Sequence, residues 1–144
     1  MNDEPDSGVT DLADLLAGLD PELDGTTYVF LTGPTELDVA ALAPVVLVTE
    51  AEGLTAVVDE AHLDDALALG LGPDDPPRMA RLTLRVHSSL LAVGLTAAVS
   101  DALASEGISC NVLAGFHHDH LLVPTDRGHD ALEVLLRLQA DAAS

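Results

Sequence analysis

The stretch LTLRVHSSLLAVGLTAAVSDALASEGISCNVLAGFHHDHLLVP, residues 82–124, decides the fold. Leu82, Leu84 and Val86 alternate with Thr83, Arg85 and His87, the period of a half-exposed strand over Leu82–His87. A turn containing Ser88 and Ser89 follows. Leu95, Ala98, Val99, Ala102 and Leu103 then recur at i, i+3, i+4, i+7 and i+8, which predicts a helix over Gly94–Glu106, with Gly107 at its left-handed C-terminal cap. Strands at Ser109–Gly115 and Asp119–Pro124 flank a tight hairpin at Phe116-His117-His118.

The rest of the chain is read outward from this unit. Residues 1–9 read as an acidic flexible tail. Thr10 or Asp11 caps a short helix carrying Leu12, Leu15, Leu16 and Leu19, ending near Gly18, and Asp20-Pro21 and Asp24-Gly25 mark a turn. A strand at Tyr28–Thr32, a short helix from Glu36 to Leu42, a hairpin of Val45–Thr49 with Leu54–Asp59, and a helix at Glu60–Leu69 complete the first half. The Pro/Gly-rich segment Gly70–Pro77 reads as a linker, which places the halves at 10–77 and 78–144. Asp126 is the expected cap of the last helix, whose buried stripe is Ala131, Leu132, Leu135 and Leu138.

Both halves therefore run strand, helix, strand, strand, helix. The expected class is α+β, built of ferredoxin-like βαββα units. Six strands stand where two complete units need eight, so a strand must be shared within the chain or swapped with a second one.

Composition narrows the partners. Of 144 residues, 48% are hydrophobic and only 2% aromatic, so the core must be Ala, Val and Leu. Twenty-five Asp and Glu against five Arg and no Lys give a formal net charge of -20, which repels nucleic acid and anionic membranes alike. A Lys-free acidic surface suits a salt-rich cytoplasm, where ions screen its self-repulsion; composition bias of a GC-rich genome is the alternative. Cys110 is the single cysteine, which excludes an intramolecular disulfide and a multi-thiolate metal site within one chain. No apolar run approaches the about 20 residues of a membrane span, and no secretory signal precedes the first helix, so a cytoplasmic location is expected.

The topology has a chemical consequence. In a βαββ unit the first strand–helix turn and the hairpin lie at one end of the sheet, which draws His87, Ser88, Ser89, Val93 and Gly94 toward the 115–119 hairpin. Gly94 at a helix opening lets a group approach the backbone, and the orphan N–H groups there suit a carboxylate; a plain turn is the equally open structural alternative. Ser88, Ser89 and Asn111 would add polar contacts, with the hairpin as a wall.

The run from His87 to Pro124 resembles small tandem ACT-domain proteins of unassigned function, which carry His-Ser-Ser, Val-Gly-Leu-Thr, Ile-Ser-Cys-Asn-Val and His-Asp-His-Leu segments. The resemblance implies a non-enzymatic regulatory module that binds an amino acid or similar metabolite, often at an interface between two such domains. It further implies a ligand held around Val93, Gly94, Leu95 and Thr96, and by the neighbouring strand at Cys110, Asn111 and Val112. The hairpin wall adds His118 to the expected site, and no cofactor is expected. Unpaired strand edges predict a homodimer.

Rival chemistries are weaker. His87, His118 and His120 offer imidazoles to a metal ion, but neighbours on a strand face opposite ways and Asp119 cannot join them. Cys110 as a nucleophile competes with its reading as a buried, inert thiol. No G-x-S-x-G elbow and no phosphate-cradling glycine loop occurs. A ligand-free dimeric interaction protein is the remaining alternative.

Overall fold

The structure is a computed structural model and describes residues 11–144; the expected tail at residues 1–9 lies outside the described residues. The chain divides into two compact units, one of residues 11–24 with 80–144 and the other of residues 25–79.

The first unit holds α1 (Leu12–Ala17), the first residues of β1 (Pro21–Gly33), most of β4 (Arg78–Leu84), α3 (Leu95–Ser105), β5 (Asn111–Ala114), β6 (Asp119–Pro124) and α4 (Gly128–Ala143). Asp11 caps α1, its carboxylate accepting from the Asp14 N–H at 3.1 Å. Strand order is β1-β4-β6-β5, with β5 and β6 antiparallel in the register Asn111↔Leu122 to Ala114↔Asp119. Leu15 and Leu19, Leu82 and Leu84, Val99 and Leu103, Leu121 and Val123, and Ala131 and Leu135 form one core. In α3 the buried residues are Leu95, Val99 and Leu103, the i, i+4, i+8 stripe expected of a helix covering a sheet. In α4 Val134 is buried beside Ala131 and Leu135, whereas Leu132 and Leu138 are only partly buried. Asp126 does not cap that helix; it lies in a 3-10 turn over Thr125–Arg127 that leads into it.

The missing fourth strand comes from within the chain. The Arg85 N–H donates to Asp20 O at 3.1 Å and the Val86 N–H to Leu19 O at 3.2 Å, and Arg81 pairs with Asp24 at 3.0 Å. The start of β1 thus lies along β4, where a ferredoxin-like unit places its last strand. The turn expected at residues 20–25 is therefore not there. The chain reverses at Gly18–Asp20, Pro21 opens β1 where a missing N–H is tolerated, and Gly25 sits within the strand at φ +75°.

The second unit holds the rest of β1, β2 (Val46–Glu50), β3 (Gly53–Asp59) and α2 (Leu63–Leu69), in the strand order β2-β3-β1 with both pairings antiparallel. Its core is separate, built on Val29, Leu31, Val39, Leu42, Leu54, Ala56, Val58, Ala66 and Leu71. Two expectations change here. The helix read at 36–42 is a single 3-10 turn, Ala40–Leu42: the Asp38 carboxylate takes the Ala40 N–H at 3.1 Å, and Ala43, left-handed before Pro44, ends it. The presumed linker 70–77 is pinned to β1, since Thr32 and Gly72 exchange backbone hydrogen bonds at 2.8 and 3.0 Å and the Phe30 N–H donates to Pro77 O at 3.1 Å. The compact units part between Met79 and Ala80, next to the boundary read at residue 77, while residues 11–24, with α1 and the start of β1, group with the C-terminal half.

Gly94 is the N-cap of α3 at φ +98°, and a Cβ built there would stand 3.1 Å from Leu12 Cδ2. The group that approaches this glycine is thus a leucine of α1. Gly94→Ala is expected to cost about 1–3 kcal/mol through backbone strain and crowding. Denaturant unfolding of that variant, of Leu12→Ala and of the double variant measures both parts, and the double variant should lose less than the sum of the singles.

Candidate functional site

At the end of the first unit where β4 gives way to α3, the loop Ser88–Val93 meets the β5–β6 hairpin. Ser88 and Ser89 are buried, at 8% and 5% exposed. Ser88 Oγ donates to Asp119 Oδ2 at 3.2 Å, tying the loop to the first residue of β6. Ser89 Oγ accepts from the Leu91 N–H at 3.1 Å and Ser89 O from the Ala92 N–H at 3.0 Å, which folds the loop back on itself. The hairpin closes through the Gly115 N–H donating to His118 O at 2.9 Å.

Between these segments lies a cleft of about 100 Å³. The two serines, Leu90 and Ala92 line it from the loop; Leu95 and Thr96 line it from α3; Ala114 and Asp119 line it from the hairpin. The first internal bond of α3 runs from the Ala98 N–H to Gly94 O at 2.9 Å, and no side chain caps the helix, so the N–H groups of its opening turn have no partner within it.

Of the residues predicted from sequence, Ser88, Ser89, Leu95 and Thr96 come together in this cleft. Gly94 lies beside it but turns toward Leu12, and Val93, 83% exposed, is not part of the lining. His87 is half-buried with its ring 5.9 Å from that of His117, which stands 6.5 Å from that of His118. Cys110, Asn111 and Val112 are not part of the cleft: β5 runs away from it, Cys110 and Val112 pack on the core, and Asn111 is exposed. The wall on that strand is its other end, Ala114. Asp119, the only acid between Glu106 and Asp126, also lines the cleft and was not among the residues expected to bind a ligand.

A second, larger cleft of about 220 Å³ in the other unit is walled by Phe30, Leu31, Thr32, Thr55, Pro73 and Pro77. It is almost wholly apolar and presents no charge.

Among the described residues no group of three His, Cys, Asp or Glu side chains is placed to hold a metal ion, so His87, His118 and His120 do not form a ligand set. His120 shares a 3.0 Å hydrogen bond with Thr83 Oγ1. Burial, then the charges of Arg81 and His118, push its imidazole below the usual range. A base whose folded pKa is lowered leaves the unfolded chain binding more protons, so its stabilising effect is whole above about pH 6.5 and is lost as the pH falls through the folded value. His120→Gln should therefore flatten the drop in melting temperature between pH 7.5 and 5.

Burial alone pushes the Cys110 thiol up, which makes it a poor nucleophile. Iodoacetamide at pH 8 should label the folded protein several-fold more slowly than the urea-unfolded chain.

The architecture is that of paired ferredoxin-like units with helices over an antiparallel sheet. Models of the ACT domain match residues 7–78 and 79–137, and the chain belongs to the ACT domain family, with two domains in tandem. A Vibrio cholerae protein of unknown function, described as a possible transport protein, shares 39% identity over 89% of this chain and 95% of its own, at a TM-score of 0.75. The fold also matches the regulatory subunit of aspartate kinase from Thermus thermophilus (16% identity, 82% of this chain, 95% of that one, TM-score 0.58). Aspartokinase α and β subunits match at 12% identity over 82% of this chain and 95% of theirs, with a TM-score of 0.64. No curated protein matches the chain. No helix among the described residues is long and apolar enough to cross a membrane.

Proposed function

We propose that the protein is a non-enzymatic regulatory or sensor module that binds an amino acid or similar small metabolite in the Ser88–Asp119 cleft. One observation carries this reading: the two buried polar side chains, Ser88 and Ser89, converge on a single small cleft. Burying hydroxyls costs stability unless they are hydrogen-bonded, and placing both at one spot beside an uncapped helix opening is what recognition of a polar ligand requires. The N–H groups of Leu95 and Thr96 suit the ligand's carboxylate, and Thr96 adds a hydroxyl.

The module acts as a homodimer. In the β2-β3-β1 sheet β2 is an edge, and Val45, Leu47 and Val48 are exposed along it without a charge between Asp38 and Glu50. At the cleft end Leu90, Leu91, Val93 and Phe116 are also exposed, on the two longest uncharged runs of the chain, residues 86–100 and 107–118. In a protein of net charge -20, surfaces free of charge are where a second copy is not repelled. Association there would bury the mouth of the cleft at an interface.

A thermal-shift screen of the twenty amino acids in molar salt tests this. One of them is expected to raise the midpoint, since a ligand at 100 times its Kd stabilises by about 2.7 kcal/mol, and Thr96→Val should abolish most of the shift. A flat screen, or a shift indifferent to Thr96, would favour a ligand-free interaction protein. Gly94 is unsuited to the test because any side chain there disturbs α1.

A further inference from the structure

The cleft carries a single formal charge. Asp119 lines it, and no cationic side chain among the described residues pairs with that carboxylate, because all five arginines are committed elsewhere. Arg78 pairs with Glu60 and Asp75, Arg81 with Asp24, Arg85 with Asp20 and Glu22, Arg127 with Asp130, and Arg137 with Glu106.

A carboxylate offers about four acceptor sites. Asp119 receives one hydrogen bond, from a Ser88 hydroxyl that is itself buried. That bond fixes the orientation of the carboxylate without neutralising it. Its spare acceptor capacity lies on the wall of a cleft with room for about three water molecules. Other acids, such as Asp64 and Asp65 on α2, are exposed in open solvent and have no cavity to select with. The α3 opening stands on another side of the same cleft, so the two walls present opposite preferences, an anion site at the helix and a cation site at Asp119.

From this arrangement we infer that Asp119, oriented by Ser88, is the specificity-determining residue of the cleft and takes a protonated primary amine. The site accepts small ammonium-bearing ligands and rejects isosteres that carry a hydroxyl in place of the amine. This deepens the functional reading given above and rests on it.

The test titrates the isotopically labelled full chain with glycine, L-alanine and L-serine, and in parallel with the hydroxy acids of matching shape, glycolate, L-lactate and L-glycerate. The Thr96 and Ala114 amide signals are followed. The amino acids are expected to shift these signals with affinities on the order of tenfold or more above their hydroxy counterparts, since a site built to bond one group rejects the analogue lacking it. Asp119→Asn should bring the two series together, and Ser88→Ala should weaken the amino acids while keeping the preference. Because Asp119→Asn removes only one of 25 acids, loss of preference in it reports a local contact and no general attraction of cations.

Hydroxy acids that shift Thr96 and Ala114 as tightly as amino acids, or a preference that survives Asp119→Asn, would overturn the role of Asp119 and leave the cleft as a binding site. Shifts confined to other residues, or none in either series, would overturn the cleft itself. The wild-type comparison decides the matter even where a variant fails to fold.

Discussion

A strand whose edge faces nothing leaves a row of N–H and C=O groups without partners, and the structure is arranged around supplying β4 with one. Each half of the sequence stops one strand short of a complete ferredoxin-like unit. The start of β1 fills that place beside β4, and the remainder of the same strand is the third strand of the other unit's sheet. This is why β1 runs thirteen residues. It is also why α1, which precedes β1 in sequence, packs with α4 in the C-terminal unit, where Gln139 Nε2 donates to Ala17 O and its Oε1 accepts from the Asp20 N–H.

The cleft inherits its shape from that arrangement. α1 lies against the opening of α3 through Leu12 and Gly94, which holds the helix start in place, and the loop before it closes on Ser89 and is anchored to β6 by Ser88. The site is thus built from backbone turns and two buried hydroxyls, with no metal cluster among the described residues. The one thiol is packed on the core and His120 is engaged with Thr83.

Electrostatics sharpen the same picture. Each arginine is spent on a nearby acid, and these largely exposed pairs add little stability individually, but they leave the protein with no free positive surface among the described residues. Apart from Asp119 the cleft lining carries no formal charge, whereas acids are dense elsewhere in the chain.

By itself the sequence determined whatever is local and periodic. The 3.6-residue stripe of Leu95, Val99 and Leu103 specified α3, and the chain topology specified that the Ser88 turn and the 115–118 hairpin share one end. These follow because burial of one helix face or one strand face leaves a mark at fixed spacing. The tertiary structure alone decided what depends on residues far apart in the chain. Leu12 fills the space at Gly94, Leu19 and Asp20 meet Arg85 and Val86, the proline segment 70–77 is held on β1, and Asp119 rather than Asn111 faces the cleft. No periodicity records such contacts, because each is a single meeting of surfaces brought together only after the strands have paired.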